Sequence, residues 1–180
     1  MLSSSNACCA CWQETLALQH KTERMDESMA AQEHVALARS LLDLYNSRQS
    51  DPAWLDKSVA AFAADSEVVN AASGTTFHGP GGYKRYIRFL TESFPDMRTE
   101  LTNVFATEDQ VVLEGTFRET NTSSRNLSTG ALPATGHSGE VRVCNVLQIR
   151  NGKIVSLHCY YDMTILLEYF GLAPATAEAT

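Results

Sequence analysis

The chain has 180 residues, 44% hydrophobic and 19% charged, the balance of one globular domain with a sizeable core rather than of a disordered segment. Its net charge of -7 argues against nucleic-acid binding, which needs a basic face. No apolar run approaches the roughly 20 residues that span a bilayer, and no basic region opens a secretory signal at Met1 to Cys11, so a cytoplasmic address and no membrane partner are expected.

Residues 1–28 differ from the rest and are expected to form a flexible tail, helical in part. Three of the five cysteines, Cys8, Cys9 and Cys11, crowd it. No histidine follows closely until His20, so the spacing predicts no metal site. Residues 30–46 place Val35, Ala38, Leu41, Leu42 and Tyr45 on one helical stripe. Asp51-Pro52 is a helix start, Asp as N-cap and Pro at the first position. That helix is expected to bury Trp54, Leu55, Val59 and Phe62.

Glu67 to Ala72 reads as a short strand leading into a turn at Ser73-Gly74. Phe77-His78-Gly79-Pro80-Gly81-Gly82 reads as a tight loop opening a helix. Tyr83, Tyr86, Ile87, Leu90 and Phe94 share that helix's apolar face, and Phe94-Pro95-Asp96 ends it. Arg98 to Ala106 and Gln110 to Thr120 alternate like two strands joined at Glu108-Asp109. Residues 121–139 form the longest loop. Glu140 to Arg150 and Lys153 to Asp162 make a closing hairpin, followed by one or two helical turns from Met163 to Phe170. Residues 173–180 are expected as a flexible tail. Helices followed by antiparallel strands predict an α+β fold.

The closing hairpin carries the most chemistry. Asn151-Gly152 is a strong two-residue turn signal, because both positions need positive φ. Strand alternation puts His158, Tyr160 and Asp162 on one face. Counting back from the turn sets Cys144 opposite Cys159, Asn145 opposite His158 and Val143 opposite Tyr160. Neighbouring free thiols are expected at Cys144 and Cys159, with a disulfide as the alternative. A bulge between the turn and these pairs would move them apart.

The order of these elements, with Asp51-Pro52-Ala53-Trp54, Phe77-His78-Gly79-Pro80-Gly81-Gly82-Tyr83, Phe94-Pro95-Asp96, Pro133-Ala134-Thr135-Gly136, Asn151-Gly152-Lys153-Ile154-Val155, Tyr161-Asp162, Leu166-Leu167 and Gly171-Leu172, resembles the nuclear-transport-factor-2-like superfamily. More closely it looks like the SnoaL-type polyketide cyclases and bacterial ester cyclases. The resemblance spans roughly residues 30–172 and sets the domain at 29–172. It implies a cone-shaped α+β barrel of curved antiparallel sheet and N-terminal helices, forming a homodimer, with no metal and no organic cofactor. It also implies an aspartate acid/base at the end of the last long strand, here Asp162. That residue would remove a proton next to a carbonyl so that an aldol step closes a ring. The chain departs from the pattern at Thr120-Asn121-Thr122-Ser123, where relatives often carry Thr-His-Thr-Gly, and at Tyr169-Phe170.

Two functions therefore stand side by side. One is a cofactor-free cyclase or isomerase acting on a small hydrophobic carbonyl-bearing molecule. The other is a non-catalytic ligand-binding or dimerisation module using the same cavity. Asp162 is either a base whose pKa burial would raise or the cap of the helix that follows it. His158 with Asn145 either polarises a carbonyl or forms a polar pair within the sheet. Tyr160 is either an oxyanion donor or a core side chain with a wet tip. His78 stands at a helix N-terminus, where it meets an anion or serves the turn. Arg118 and Arg142 read as surface or interface residues, or as anchors for an acidic substrate, and His137 as part of a loop over the mouth. Trp54 and Tyr83 are assigned to substrate binding among aromatics that would suit a polycyclic or terpenoid ligand.

Overall fold

The structure, a computed structural model, describes residues 6–122, 124–127 and 130–169. Helix α1 runs Asn6–Asn46, so it continues through residues expected to form a tail. The described side chains between Gln19 and Met29 are exposed, and packing starts near Ala30. The expected stripe is the buried one: Ala38 is fully buried and Tyr45 nearly so. The C-terminal residues 173–180 lie outside the described residues.

Helix α2 covers Trp54–Ala60. Its N-cap is Ala53, not the expected Asp51: Asp51 and Pro52 form the turn before the helix, where Asp51 Oδ1 accepts from the Ala53 amide at 2.9 Å. Strand β1 spans Phe62–Asn70; Phe62, expected at the end of the helix, instead starts this strand. Strand β2, Thr75–His78, replaces part of the expected loop and pairs antiparallel with β1. Helix α3, Gly79–Ser93, follows directly. Strands β3, Arg98–Ala106, and β4, Gln110–Thr120, match their alternation. A small hairpin of β5, Arg125–Leu127, and β6, Gly130–Leu132, stands apart within the segment expected as a loop. Strands β7, Ser138–Arg150, and β8, Lys153–Tyr161, form the closing hairpin, and α4 covers Met163–Tyr169.

The main sheet has the order β2-β1-β8-β7-β4-β3. It is mixed, because β1 runs parallel to β8. The α+β class expected from the sequence is therefore present: helices pack against one side of a curved six-stranded sheet. Asn46, at the end of α1, ties the helix to the sheet edge. Its Nδ2 donates to the Thr99 carbonyl at 2.8 Å and its Oδ1 accepts from the Thr99 amide at 3.1 Å. Among the described residues, no helix is long and apolar enough to cross a membrane.

Asn151 and Gly152 have φ of 53° and 68°, the two positive angles the turn requires. Register is then lost and regained. Ile149 pairs with Ile154, but Gln148 pairs with Ser156, so Val155 is an extra residue in β8. From there on Leu147 faces Leu157, Asn145 faces Cys159, Cys144 faces Tyr160 and Val143 faces Tyr161. This corrects the expected pairs of Cys144 with Cys159, Asn145 with His158 and Val143 with Tyr160. Cys144 and Cys159 lie on opposite faces and both are free thiols.

A second bulge lies in β3, where Thr102 is the extra residue between Leu101–Gly115 and Asn103–Glu114. A Cβ on Gly115 would stand 2.6 Å from the Glu100 carbonyl oxygen. Only glycine fits under that bulge without prising β3 from β4. Gly115→Ala is expected to cost roughly 1–3 kcal/mol, seen as a lower urea midpoint at unchanged slope. An unchanged midpoint would mean the strands part locally at no cost.

Candidate functional site

A cavity of about 120 Å³ lies between the helices and the concave face of the sheet. Helix α1 contributes Leu41, Leu42 and Tyr45, and α3 contributes Tyr83, Tyr86 and Leu90. The sheet contributes the inward rows Leu113 and Phe117 of β4, Asn145 and Leu147 of β7, and Leu157, Cys159 and Tyr161 of β8, with Leu166 of α4 at one end. The wall is almost wholly apolar. Its volume is comparable to the roughly 150 Å³ cavity that holds one benzene, so it is matched to one ring rather than to the polycyclic ligand its aromatics suggest.

Few polar groups reach this space, and most are already engaged. The Tyr86 hydroxyl neighbours the Cys159 thiol. Burial pushes that thiol up to about 11, with Tyr86 pulling the other way. Burial also raises Tyr83, with Ser58 pulling the other way. Tyr161 is raised by burial against the opposing effect of Asn70, whose Nδ2 donates to the Tyr161 hydroxyl at 3.1 Å. Tyr45 is raised by burial, with the Arg48 cation opposing. Asn145, half-buried, brings a side-chain amide to the wall.

The assigned residues divide between the two faces of the sheet. Asn145 and Tyr83 line the cavity. Tyr83 stacks on Phe62 with ring centroids 4.0 Å apart. Trp54 sits behind the wall, edge-on to Tyr45 at 6.0 Å. His158 and Tyr160 are on the outer face: the bulge at Val155 reverses their direction. His158 Nδ1 is 3.2 Å from the Tyr160 hydroxyl and its Nε2 is 3.5 Å from Glu67. Asp162 is exposed, and its Oδ1 accepts from the amides of Thr164 at 2.8 Å and Ile165 at 3.3 Å. It caps α4, and Tyr160, Cys144 and Arg142 neighbour it in an outer depression.

His78 is exposed at the N-terminus of α3 and makes no side-chain cap bond. Arg118 is exposed and paired with Glu140 and Glu100 at 2.9 and 3.2 Å. Arg142 and His137 are exposed. Among the described residues, no cluster of three or more His, Cys, Asp or Glu side chains is placed to hold a metal.

Sequence reading missed Cys159 and Tyr161 as wall residues, and Asn70 as the partner of the Tyr161 hydroxyl. A signal existed. Ile154 and Leu157 are both strongly apolar, yet a plain period of two sends them to opposite faces.

The family model of the SnoaL-like domain matches residues 38–157, more than half of the chain. The chain belongs to the SnoaL-like domain family. The match stops short of Tyr161 and Asp162. No functionally curated protein matches the chain. Among solved structures, a protein of Jannaschia sp. CCS1 assigned as a SnoaL-like polyketide cyclase superposes with a TM-score of 0.69 at 15% identity, covering 80% of this chain and 95% of that one. IdmH of Streptomyces antibioticus, assigned as a polyketide cyclase, gives 0.60 at 22% identity over 76% and 97%. A Catenulispora acidiphila protein of ketosteroid isomerase-like fold, crystallised with trimethylamine, gives 0.59 at 17% over 74% and 93%. At these identities the likeness concerns the fold.

The Cys159 thiol gives this interior a chemical readout. Its folded value of about 11 lies above the ordinary 9.0, so its contribution to stability is complete below about pH 9 and fades as pH rises toward 11. At pH 8, iodoacetamide should label Cys144, half-buried on the outer face, well ahead of Cys159, as followed by peptide mass mapping. Equal rates would show that solvent enters the cavity freely.

Proposed function

We propose that this SnoaL-like chain is a cofactor-free small-molecule enzyme of the cyclase or isomerase type, acting on an apolar carbonyl-bearing substrate held inside the cone. The observation that carries the reading is the cavity between helices and sheet, apolar with a few placed polar groups, as small-molecule sites are. The polyketide cyclase assignments of the similar proteins from Jannaschia and Streptomyces antibioticus support the choice of reaction class.

In this mechanism the Asp162 carboxylate takes a proton from the carbon next to a carbonyl. The enolate attacks a second carbonyl of the same molecule, one carbon–carbon bond forms, and Asp162 returns the proton to the new alkoxide. The Asn145 amide donates to the enolate oxygen from within the cavity. Asp162 reaches the substrate only by exchanging the Thr164 and Ile165 amides for it, so the first turn of α4 must loosen during turnover.

A second reading, ligand binding without turnover, is favoured by one observation: Asp162 is exposed and both of its side-chain bonds go to the helix it caps. Two substitutions separate the readings. Asn caps helices about as well as Asp, so Asp162→Asn should keep the melting temperature and abolish turnover of a carbonyl substrate. Asp162→Ala should lose both turnover and about 1 kcal/mol of stability. Turnover retained in Asp162→Asn would sink the acid/base mechanism and leave the binding reading.

A further inference from the structure

The cavity wall carries no charged side chain: none of its lining residues is Asp, Glu, Lys, Arg or His. An ionised ligand would lie there unpaired, at far greater cost than a neutral one. The wall therefore selects a neutral occupant.

Most polar groups of the wall have a neighbour of their own or stand apart. The Tyr45 hydroxyl is sealed off without accessible surface. The Tyr161 hydroxyl takes the Asn70 Nδ2 at 3.1 Å. The Tyr86 hydroxyl and the Cys159 thiol neighbour each other, and Ser58 stands beside Tyr83. Thr99 pairs with Phe117, four positions along β4 from Leu113, or about 13 Å away in a strand.

Asn145 differs. It pairs with Cys159 of β8 and Leu113 of β4, both wall residues, so its side chain enters between them on the concave face. Among the described residues its amide has no hydrogen-bond partner, and its oxygen and nitrogen are not sealed as the Tyr45 hydroxyl is. A carboxamide holds a donor and an acceptor side by side. A plain ketone meets only the donor and leaves the acceptor unpaired once it displaces water, which is unfavourable. A molecule with an N–H beside its carbonyl meets both.

We propose that the cavity takes a neutral one-ring molecule with a hydrogen-bond donor on the atom next to its carbonyl, a lactam in the simplest case, and that Asn145 selects it by a two-point pair. Nδ2 donates to the carbonyl oxygen, and Oδ1 accepts from the neighbouring N–H. The first bond is the one Asn145 makes in the mechanism above; the second distinguishes substrates. The proposal rests on the cavity reading and adds the specificity-determining residue and the substrate class.

Three six-membered rings test it: δ-valerolactam, δ-valerolactone and methylcyclohexane, titrated into the full chain and followed by amide shifts in proton–nitrogen spectra. Lactam and lactone share one shape and differ in an N–H against a ring oxygen. Methylcyclohexane reports the apolar cavity alone. The lactam should bind about tenfold more tightly than the lactone, the increment of one buried hydrogen bond, because a site that pairs an N–H rejects the analogue lacking it. Asn145→Leu removes both bonds at similar side-chain size. It should erase the lactam preference and leave methylcyclohexane binding unchanged.

If that variant fails to fold, the lactam–lactone comparison in the unaltered chain decides alone. A lactam that binds no more tightly than the lactone, or a preference that survives in Asn145→Leu, overturns the two-point pair, while methylcyclohexane binding upholds the cavity reading. If none of the three binds, both fall.

Discussion

One extra residue in one strand decides what this protein has inside. If the closing hairpin kept the register its turn sets, Ser156, His158 and Tyr160 would face the helices. The unpaired Val155 moves every later residue of β8 to the opposite face, as a one-residue slip must, and Leu157, Cys159 and Tyr161 enter instead. The energies favour this outcome. A disrupted ladder bond costs about 1 kcal/mol. Burying one leucine returns about 1.5–3 kcal/mol, and the alternative would place an imidazole in an apolar cavity. The bulge is the low-energy way to keep both Ile154 and Leu157 in the core.

Much of this architecture is legible in the residues. Alternation gives β3 and β4 their observed bounds, because each strand has one wet face and one dry one. The apolar face of α3 and its glycine-rich entry are equally plain. The signals fail where tertiary context outweighs local pattern. Phe62 fits the apolar spacing of α2, but in the fold it starts β1 and stacks on Tyr83. The small hairpin β5–β6 lies in polar sequence without apolar alternation. For the site, the turn was legible and the bulge was not, since nothing at Val155 marks it locally. Only the joint requirement of Ile154 and Leu157 does, and attention to the chemically attractive His158, Tyr160 and Asp162 runs against it.

The consequence is a division of labour between two faces of one sheet. Acid, imidazole and exposed phenol collect outside, around Glu67, His158, Tyr160 and Asp162. Inside are hydroxyls, one amide and one thiol in a dry space. The faces meet at α4. Asp162 caps its N-terminus from the outside, and Leu166, one turn on, closes the cavity from within. The state of that carboxylate and the closure of the apolar space thus depend on the same short helix.

Strand β8 also has a position in time. It lies between β1 and β7, in the middle of the sheet, yet it is the last of this sheet's strands in chain order. Until it is made, β1 with β2 forms one ladder and β3, β4 and β7 another, with no strand pairing between them. Domains fold as units during synthesis only when their strands are all present, and a pairing such as Asn70 with Cys159 waits on a long loop closure. The nascent chain therefore carries its future cavity wall as an open sheet edge until β8 has been made.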